Sequence, residues 1–421
     1  MIRPLGRSEA LLARARAVIP LGTQTLSKST SQWVQGVAPV YLERGVGSHV
    51  WDVDGNEWVD FPMALGPVLL GYADPAVDEA IRRQLVDGII FTLCHPLEVE
   101  VAERIVDLCP GVEAVRFAKS GSDAVSAAVR AARAATGRDH VIVCGYHGWH
   151  DWYIGSTTRD RGVPEAVRAL TSTAPFGDLE ALAEGLRRQP VAAVVVEPAS
   201  ATTPPEGYLQ GLVDLARAAG AVSVFDEVIT GFRLAPGGAR ERYGVIPDLS
   251  CYGKALGNGM PVSAVAGSWS VMCEFEEVFF SGTHGGEALS LAAARAVLDT
   301  VADGTVLAGI RTRGERMLAG IAAAIERHGV GASVAVGGEP ERAVVSVRGP
   351  EPELIRSWLQ QCLLDEGCLF NGSMFICARH SDADVDRALK GFDRAFSELA
   401  EGTELAARLR GPVLRPVFRA P

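Results

Sequence analysis

Lys254 has neighbours that suit a lysine acting as a nucleophile. It follows the apolar run Leu249–Tyr252, and Gly253 and Gly257 leave room for a bulky ligand to approach. A lysine at the end of such a run can be partly desolvated, which favours attack on a carbonyl and formation of a Schiff base. Taken by itself, Lys254 also fits an ordinary surface lysine, since lysine is seldom fully buried.

Two carboxylates stand at the ends of two further apolar runs. Asp226 closes the run that begins at Val222, and Glu197 follows the run at 191–196. Ligands of an open parallel sheet bind beyond the carboxyl ends of its strands, so both side chains are expected at one rim. A carboxylate there can keep a pyridine nitrogen protonated, which lets the ring accept electrons. A cap for Asp226 and a structural ion pair for Glu197 are the alternatives.

A turn made of Ser120, Gly121 and Ser122 lies between an apolar run and an alanine-rich helix. Backbone N–H groups of such a turn, at the positive end of a helix, bind phosphate, and the serine hydroxyls add donors. Serine at this position is also a common helix N-cap, so the turn alone does not distinguish a phosphate site from a helix cap. Nucleotide-binding alternatives lack their motifs, because G-x-x-x-x-G-K-[ST] is absent and residues 257–259 carry only part of a dinucleotide fingerprint.

A cluster of histidine and aromatic residues follows the apolar run at 141–144. Its members are Tyr146, His147, Trp149, His150, Asp151 and Trp152. Two histidines three positions apart in a glycine-containing loop lack the further ligands of a metal site, so we expect no metal. His147 and Trp149 are instead predicted to line a substrate cleft.

Short apolar runs that alternate with helical stretches must position these residues. The runs lie at 114–117, 141–144, 191–196, 222–225 and 249–252. Such strands predict a mostly parallel sheet covered by helices on both faces, and hence an α/β fold. The chain has 421 residues, more than a single core usually supports. We predict an N-terminal segment at 1–60, with a helix and a small antiparallel unit that packs with the small domain, a large domain at 61–305 and a smaller α/β domain at 306–421.

Composition and charge limit the classes of partner and the cellular compartment that can be expected. Fifty-one acidic residues against 40 basic ones give a formal charge of −11, which argues against nucleic acid or an anionic membrane as the main partner. The eight cysteines are scattered without a C-x-x-C pair, as reduced cytoplasmic thiols are. The N-terminus has no continuous apolar leader, and no uncharged apolar run approaches the ~18 residues of a membrane span. We therefore expect a cytoplasmic protein.

Taken together, these motifs resemble the class III aminotransferases, which are pyridoxal 5'-phosphate (PLP) enzymes of fold type I. The similarity is greatest to the branch that contains glutamate-1-semialdehyde aminomutase. It covers nearly the whole chain and rests on the stretches VWDVDGNEWVDF, GPVLLG, VRFAKSGSDA, YHGWHDW, VVVEP, VFDEVITGFR, YGKALGNGMPVSAVAG, SGTHGGEALSLAAA and ARHSDADVDRAL. The resemblance implies a type I fold, a large PLP-binding domain with a smaller α/β domain, and aminotransferase activity.

The resemblance also implies roles for individual residues. Lys254 would carry PLP as a Schiff base, and Asp226 would pair with the pyridine nitrogen. Val228 and Tyr146 would pack on the two faces of the ring. The remaining predicted cofactor contacts are Ser120, Gly121 and Ser122 at the phosphate, Thr283 reaching it from the neighbouring subunit, and Glu197 at the same rim. A homodimer with shared active sites is therefore implied.

Departures from the aminomutase pattern bear on the substrate. The aminomutases carry an arginine for the substrate carboxylate in a segment that here, at Leu21–Gly36, has none, and Lys28 cannot form the same bidentate fork. The segment 282–287 also replaces the usual asparagine-proline with glycines and an acid. These features resemble aminotransferases of aminoglycoside biosynthesis, and Glu197 and Glu287 would suit a cationic amino sugar.

The predicted reaction moves an amino group from a donor such as L-glutamate to a carbonyl of an amino-sugar intermediate, such as a 6'-oxo sugar. His147, Trp149 and Glu287 are the predicted substrate contacts. A glutamate-1-semialdehyde 2,1-aminomutase is the first alternative. A PLP-dependent epimerase of an amine centre is the second, because the same apparatus can return a proton to the other face.

Overall fold

The computed structural model describes residues 3–402 and 404–415, which divide into two units. Of the described residues, one unit takes in 3–65, 69–74, 308–402 and 404–415. The other takes in residues 66–68 and 75–307. The divisions predicted after residues 60 and 305 lie near those after residues 65 and 307, and the N-terminal segment shares a unit with the C-terminal part.

The described part of the chain contains fourteen strands. They are β1 (Leu42–Val46), β2 (His49–Asp52), β3 (Glu57–Asp60), β4 (Ala114–Ala118), β5 (His140–Cys144), β6 (Thr171–Thr173), β7 (Val191–Val196), β8 (Val222–Glu227), β9 (Leu249–Tyr252), β10 (Ser263–Gly267), β11 (Val334–Glu339), β12 (Arg342–Val347), β13 (Cys368–Leu369) and β14 (Ser373–Phe375).

Fifteen α-helices lie in the same residues. They are α1 (Gly6–Val18), α2 (Pro75–Asp87), α3 (Pro96–Leu108), α4 (Gly121–Thr136), α5 (Asp151–Ile154), α6 (Glu165–Arg168), α7 (Leu179–Arg188), α8 (Tyr208–Ala218), α9 (Ala239–Tyr243), α10 (Trp269–Met272), α11 (Ala288–Val301), α12 (Thr305–His328), α13 (Pro352–Asp365), α14 (Asp382–Ala400) and α15 (Leu405–Arg408). None of the helices in residues 3–402 and 404–415 is long and apolar enough to cross a membrane.

The unit that holds residues 75–307 is built on a seven-stranded sheet in the order β4-β10-β9-β8-β7-β5-β6. The five strands from β9 to β6 are parallel to their neighbours, and β10 runs antiparallel to both β4 and β9. The predicted apolar runs all appear as strands, so the mostly parallel α/β sheet is confirmed.

The core of this unit follows from the alternation of side chains along each strand. Val141 and Val143 of β5 pack with the buried face of α4, whereas Ile142 and Cys144 pack with α8 on the other side of the sheet. Apolar residues are therefore needed at every position of these strands, which explains their continuous hydrophobic sequence.

The other unit contains two smaller sheets, ordered β1-β2-β3-β13 and β11-β12-β14. The predicted turn at 54–56 joins β2 to β3, and Gly55 has a φ of 86°, which favours glycine. Asp52 stabilises the turn, because its Oδ1 accepts hydrogen bonds from the backbone N–H groups of Asp54 and Asn56 at 3.0 and 2.8 Å.

Candidate active site

A cavity of about 310 Å³ opens at the carboxyl ends of the parallel strands, within the unit that holds the large sheet. It brings together residues that the sequence predicts for one site. The predicted residues in its lining are Gly121, Ser122, Tyr146, His147, Glu197, Asp226, Val228 and Lys254. They come from five separate segments of the chain, and their convergence depends on the sheet topology.

Asp226 is the penultimate residue of β8, and its side chain is almost wholly buried. His147 donates from Nδ1 to Asp226 Oδ2 at 2.8 Å, and the Val228 N–H donates to Oδ1 at 3.2 Å. His147 is only 1% exposed, so its ring is fixed behind the carboxylate. These two bonds orient Asp226 and leave acceptor positions of both oxygens for a ligand.

Lys254 begins the short 3-10 helix Lys254–Gly257, directly after β9 and Gly253. Its φ of 39° lies in the left-handed region, where residues other than glycine, asparagine and aspartate are uncommon. Backbone strain of this kind persists where the surrounding structure imposes it, and it concentrates at functional sites. The half-buried Lys254 side chain reaches the cavity that Asp226 also lines.

The turn at Ser120 begins α4 through a capping box. Ser120 Oγ accepts from the Asp123 N–H at 3.2 Å, and Asp123 Oδ2 accepts from the Ser120 N–H at 2.8 Å. The first N–H groups of an α-helix have no intrahelical acceptor, so those of Gly121 and Ser122 are directed toward an incoming anion. The N-cap alternative is therefore observed for Ser120, and it leaves the phosphate prediction open, because Gly121 and Ser122 line the cavity.

Close packing around this turn leaves no room for a side chain at two glycine positions. A Cβ on Gly121 would lie 2.8 Å from both methyl groups of Val228, and a Cβ on Gly148 would lie 2.3 Å from Ser122 Oγ. Glycine is therefore required at both positions. Trp149 is held in the same place, since its N–H donates to Ser122 Oγ at 3.3 Å.

Glu197 and Tyr146 form the opposite part of the rim. Glu197 Oε2 accepts from the Tyr146 N–H at 3.0 Å, and Gly145 approaches that carboxylate so closely that a Cβ would lie 2.8 Å from it. Burial, with the nearby carboxylates of Asp226 and Glu197, raises the pKa of the Tyr146 phenol. The ring of Tyr146 is half exposed, which leaves it open to stack on a planar ligand.

These groups fit pyridoxal phosphate on their own chemistry. A lysine amine, a carboxylate and a helix N-terminus surround one cavity, matching the aldehyde, the pyridine nitrogen and the phosphate of that cofactor. Val228 and Tyr146 supply an aliphatic and an aromatic surface for the ring.

Other predicted site residues lie outside the lining of this cavity. Among the described residues these are Ser120, Trp149, Thr283 and Glu287, of which Ser120, Trp149 and Thr283 are exposed. Glu287 is the N-cap of α11 and accepts from the N–H groups of Leu289 and Ser290, from Ser290 Oγ and from Lys119 Nζ. Its carboxylate thus bonds to four donors within the chain, whereas Glu197, the other acid predicted for a cationic substrate, does line the cavity.

The lining also contains residues that were not predicted for the site. They are Pro67, Lys119, Gly148, Ile229, Gly259, Met260, Pro261 and Val262. The position of Lys119, directly before the phosphate turn, is a local signal for it. The wall at 260–262 follows Lys254 in sequence but enters the cavity only because the chain turns back into β10.

The histidine and aromatic cluster is held by hydrogen bonds to α4. Ser126 Oγ lies 2.7 Å from His150 Nδ1 and accepts from Trp152 Nε1 at 2.8 Å. Within residues 3–402 and 404–415, no group of three or more histidine, cysteine, aspartate or glutamate side chains could hold a metal ion. Tyr146 and His147, from the same stretch of sequence, line the cavity.

Comparison with known proteins gives a consistent result. The sequence model described as "Aminotransferase class-III" matches residues 30–339. Glutamate-1-semialdehyde 2,1-aminomutase of Chloroflexus aurantiacus is 36% identical over 94% of this chain and 98% of its own. The FumI protein of Sphingopyxis sp. MTA144, solved in a form with PLP, has a TM-score of 0.88 and 28% identity over 96% of this chain and 99% of that one. An omega-transaminase from Sphaerobacter thermophilus has a TM-score of 0.85 and 27% identity over 94% and 98% of the two chains.

Proposed function

The chain belongs to the class III aminotransferase family, whose cofactor is pyridoxal phosphate, and we propose that Lys254 binds this cofactor covalently while Asp226 binds its ring nitrogen. The observation that carries this assignment is the convergence of both side chains on the cavity that also contains the Gly121–Ser122 turn. When bound, pyridoxal phosphate supplies an electron sink for the carbanion formed at the amine carbon.

The residues around the cofactor have separate tasks in this proposal. Asp226 keeps a proton on the ring nitrogen, and His147 fixes the carboxylate by donating from Nδ1 at 2.8 Å. Lys254 Nζ, once an amine substrate has displaced it, removes the proton from the carbon that bears the amino group. Val228 and Tyr146 confine the ring between them, and the N–H groups of the α4 N-terminus bind the phosphate.

We further propose that the amino acceptor is a carbonyl of an amino sugar, such as a 6'-oxo sugar, with L-glutamate as donor. Trp149 carries this part of the proposal, because its ring is 68% exposed while its N–H bonds to Ser122 at the cavity. An ammonium group of a sugar placed over an indole face is attracted by the ring. The half-exposed ring of Tyr146 extends the same aromatic surface.

This argument for an amino sugar differs from the one based on acidity. Glu287 already accepts four hydrogen bonds within the chain, so aromatic side chains replace it as the expected recognition surface. Glu197 and Asp226 remain the carboxylates in the cavity lining, and Asp226 is assigned to the cofactor. Discrimination between substrates then depends on contacts of the sugar ammonium groups with aromatic rings more than on ion pairs with carboxylates.

Glutamate-1-semialdehyde aminomutase is the second candidate function. It is favoured by the relative from Chloroflexus aurantiacus, which has that name and matches 94% of the chain at 36% identity. The absence of an arginine from the segment Leu21–Gly36 speaks against it, since a carboxylate substrate would lose a bidentate contact.

A spectral screen separates the two functions. Amino sugars with a 6'-amino group should convert the cofactor from its aldehyde to its amine form, and 6'-oxo sugars should reverse the change. Trp149→Ala should raise the KM of the amino sugar roughly fivefold or more, the loss of a contact of ~1 kcal/mol, and leave the KM of L-glutamate unchanged. Trp149→Phe serves as the matched control with a partial effect. Rapid turnover of glutamate-1-semialdehyde, together with no response to any amino sugar, would establish the aminomutase instead.

A homodimer in the cytoplasm completes the proposal. Apolar side chains are exposed along one segment of the large-sheet unit, namely Leu85, Val86, Ile89, Ile90, Phe91 and Leu93. Exposed apolar surface of this extent is typical of a protein interface. All eight cysteines are free thiols, in keeping with a reducing compartment. Light scattering should give twice the 44.5 kDa mass of the chain, and a monomer that retains full activity would contradict the shared site.

A further inference from the structure

An ion pair joins the phosphate turn to the start of α11. Lys119 Nζ lies 3.0 Å from Glu287 Oε2, and the two side chains are 24% and 10% exposed. The partners are 168 residues apart in sequence. A pair as shielded as this one is screened less by salt than an exposed pair and keeps a defined geometry.

Each partner adjoins the N-terminus of a long helix. Lys119 directly precedes Ser120, the N-cap of α4, and Glu287 is itself the N-cap of α11. Burial alone would raise the pKa of Glu287, but hydrogen bonds from Ser290 and Lys119 hold it below its ordinary value. Glu287 therefore stays ionised and keeps both contacts near neutral pH.

The two helix starts carry the predicted phosphate contacts. Gly121 and Ser122 lie just after Lys119, and Thr283 lies four positions before Glu287. The segment between Thr283 and Glu287 packs closely on its surroundings, since a Cβ on Gly286 would lie 2.6 Å from the Glu98 carboxyl group. The ion pair thus links two segments that would otherwise be set independently.

We propose that Lys119 and Glu287 are positioning residues. Their ion pair fixes the phosphate-binding turn of one active site relative to the Thr283 segment, which is predicted to reach the phosphate of the neighbouring subunit, and so determines the affinity for the cofactor rather than the rate of the chemical step. This inference rests on the proposed cofactor site. Lys119 also lines the cavity, where its ammonium group adds to the positive end of α4. Glu287 holds that ammonium group at the wall, which keeps it from occupying the space of the ligand.

The test is the dissociation constant of PLP, measured by absorbance titration of the full chain after removal of the cofactor. Lys119→Met and Glu287→Gln should each weaken PLP binding roughly tenfold, as expected for a lost hydrogen bond between charged groups. The double variant should bind no more weakly than the weaker single variant, because both changes remove one interaction. Lys119→Arg should restore most of the affinity.

Controls separate positioning from general damage. Arg104→Met breaks the Arg104–Asp299 pair (2.7 Å), which joins α3 and α11 in the same unit, and should leave the PLP affinity unchanged. The thermal midpoint of the cofactor-free protein should change no more in Lys119→Met than in Arg104→Met. At saturating PLP, any fall in kcat in Lys119→Met and Glu287→Gln should be smaller than the fall in PLP affinity, since neither residue takes part in the proposed proton transfer.

Two results would overturn the inference. Wild-type PLP affinity in both single variants would show that the pair does not position the phosphate site. A raised KM for the amino acceptor, with unchanged PLP affinity, would show that Glu287 contacts substrate instead. Neither result bears on whether Lys254 binds the cofactor, which a reductive labelling experiment decides separately.

Discussion

Asp226 and Glu227 are neighbours at the end of β8, and the pleat of the strand sends their side chains to opposite faces of the sheet. Asp226 lines the cavity and bonds to His147. Glu227 is fully buried behind the sheet, where it accepts hydrogen bonds from the N–H groups of Ala239 and Arg240 at the start of α9. One strand end thus supplies two carboxylates with different surroundings.

The difference between these two regions lies in what remains for a ligand. Around Asp226, two donors fix the carboxylate and the cavity stays open on its other side. Around Glu227, α9 closes the site, and Thr230 Oγ1 supplies a further donor at 3.2 Å. Burial raises the pKa of Glu227 to about 7, although Arg240 opposes the shift. A carboxylate at a strand end is therefore assigned to chemistry or to structure by its enclosure, not by its residue type.

Asp226→Ala should have the largest effect of the variants considered, and this effect should be on kcat and not on stability. Without the carboxylate the ring nitrogen is not held protonated, so kcat should fall by at least ~10³-fold, the scale of a major electrostatic contribution. Asp226→Asn, which keeps the volume but not the charge, should behave almost as poorly. Both variants should retain cofactor and a thermal midpoint near the wild-type one. Near-normal turnover would mean that another residue holds the nitrogen.

Glu227→Ala should show the opposite pattern. It leaves the backbone N–H groups of Ala239 and Arg240 without their acceptor and removes the carboxylate that interacts electrostatically with the buried Arg240 guanidinium, which should lower the free energy of unfolding by about 3 kcal/mol. Glu241→Ala, which removes an exposed carboxylate of α9, is the matched control and should cost less. Activity per folded, cofactor-loaded molecule should be close to normal. A loss of kcat in Glu227→Ala without a loss of stability would contradict the assignment of Glu227 to structure and of Asp226 to catalysis.

Local sequence patterns predicted the position of the site better than they predicted the contacts within it. The apolar runs, the serine turn and Lys254 are local patterns, so their positions at the sheet edge could be anticipated. The bond between His147 and Asp226 joins residues 79 positions apart, and no local pattern reports it. His147 was predicted to contact substrate. It does line the cavity, but its Nδ1 is used by Asp226.

The sequence around Glu287 contains a helix N-cap pattern, whereas the prediction for this residue was a substrate contact. An acid directly before an apolar helical stretch is a recognised N-cap pattern, and Glu287 caps α11. Its prediction as a substrate contact rests on the acid that replaces asparagine-proline in the segment 282–287, which would suit a cationic amino sugar. Its partner Lys119 comes from a distant strand, and only the sheet order brings the two together.

The pH dependence of the free energy of unfolding should show the structural role of Glu227. The folded pKa of Glu227, about 7, is higher than the ordinary value of about 4.3 in an unfolded chain. Its contribution to stability is therefore complete below about pH 4 and is lost as the pH rises through about 7. Between pH 5 and pH 8 the free energy of unfolding of the wild-type protein should fall by about 2 kcal/mol relative to Glu227→Gln, which cannot titrate. Parallel stability curves for the two proteins would contradict this.

His147→Asn should have the smallest of these effects. It removes the ring that holds Asp226 Oδ2, and loss of an orienting partner behind a functional group typically costs about tenfold in activity. The pH at which the bound cofactor changes its absorption should shift along with kcat, whereas a merely structural role would leave that spectrum unchanged. His150→Asn, which removes a ring bonded to Ser126 outside the cavity lining, should leave the spectrum as it is.

The most direct test of the account is the position of the covalent bond between protein and cofactor. The purified, cofactor-loaded protein is reduced with borohydride, digested and mapped by mass spectrometry. We expect the pyridoxyl label on Lys254 alone, because this amine shares its cavity with Asp226 and the Gly121–Ser122 turn. Lys254→Ala should remove the label and the activity together. A label on Lys119 or any other lysine, or no label in an active enzyme, would contradict the assignment of Lys254.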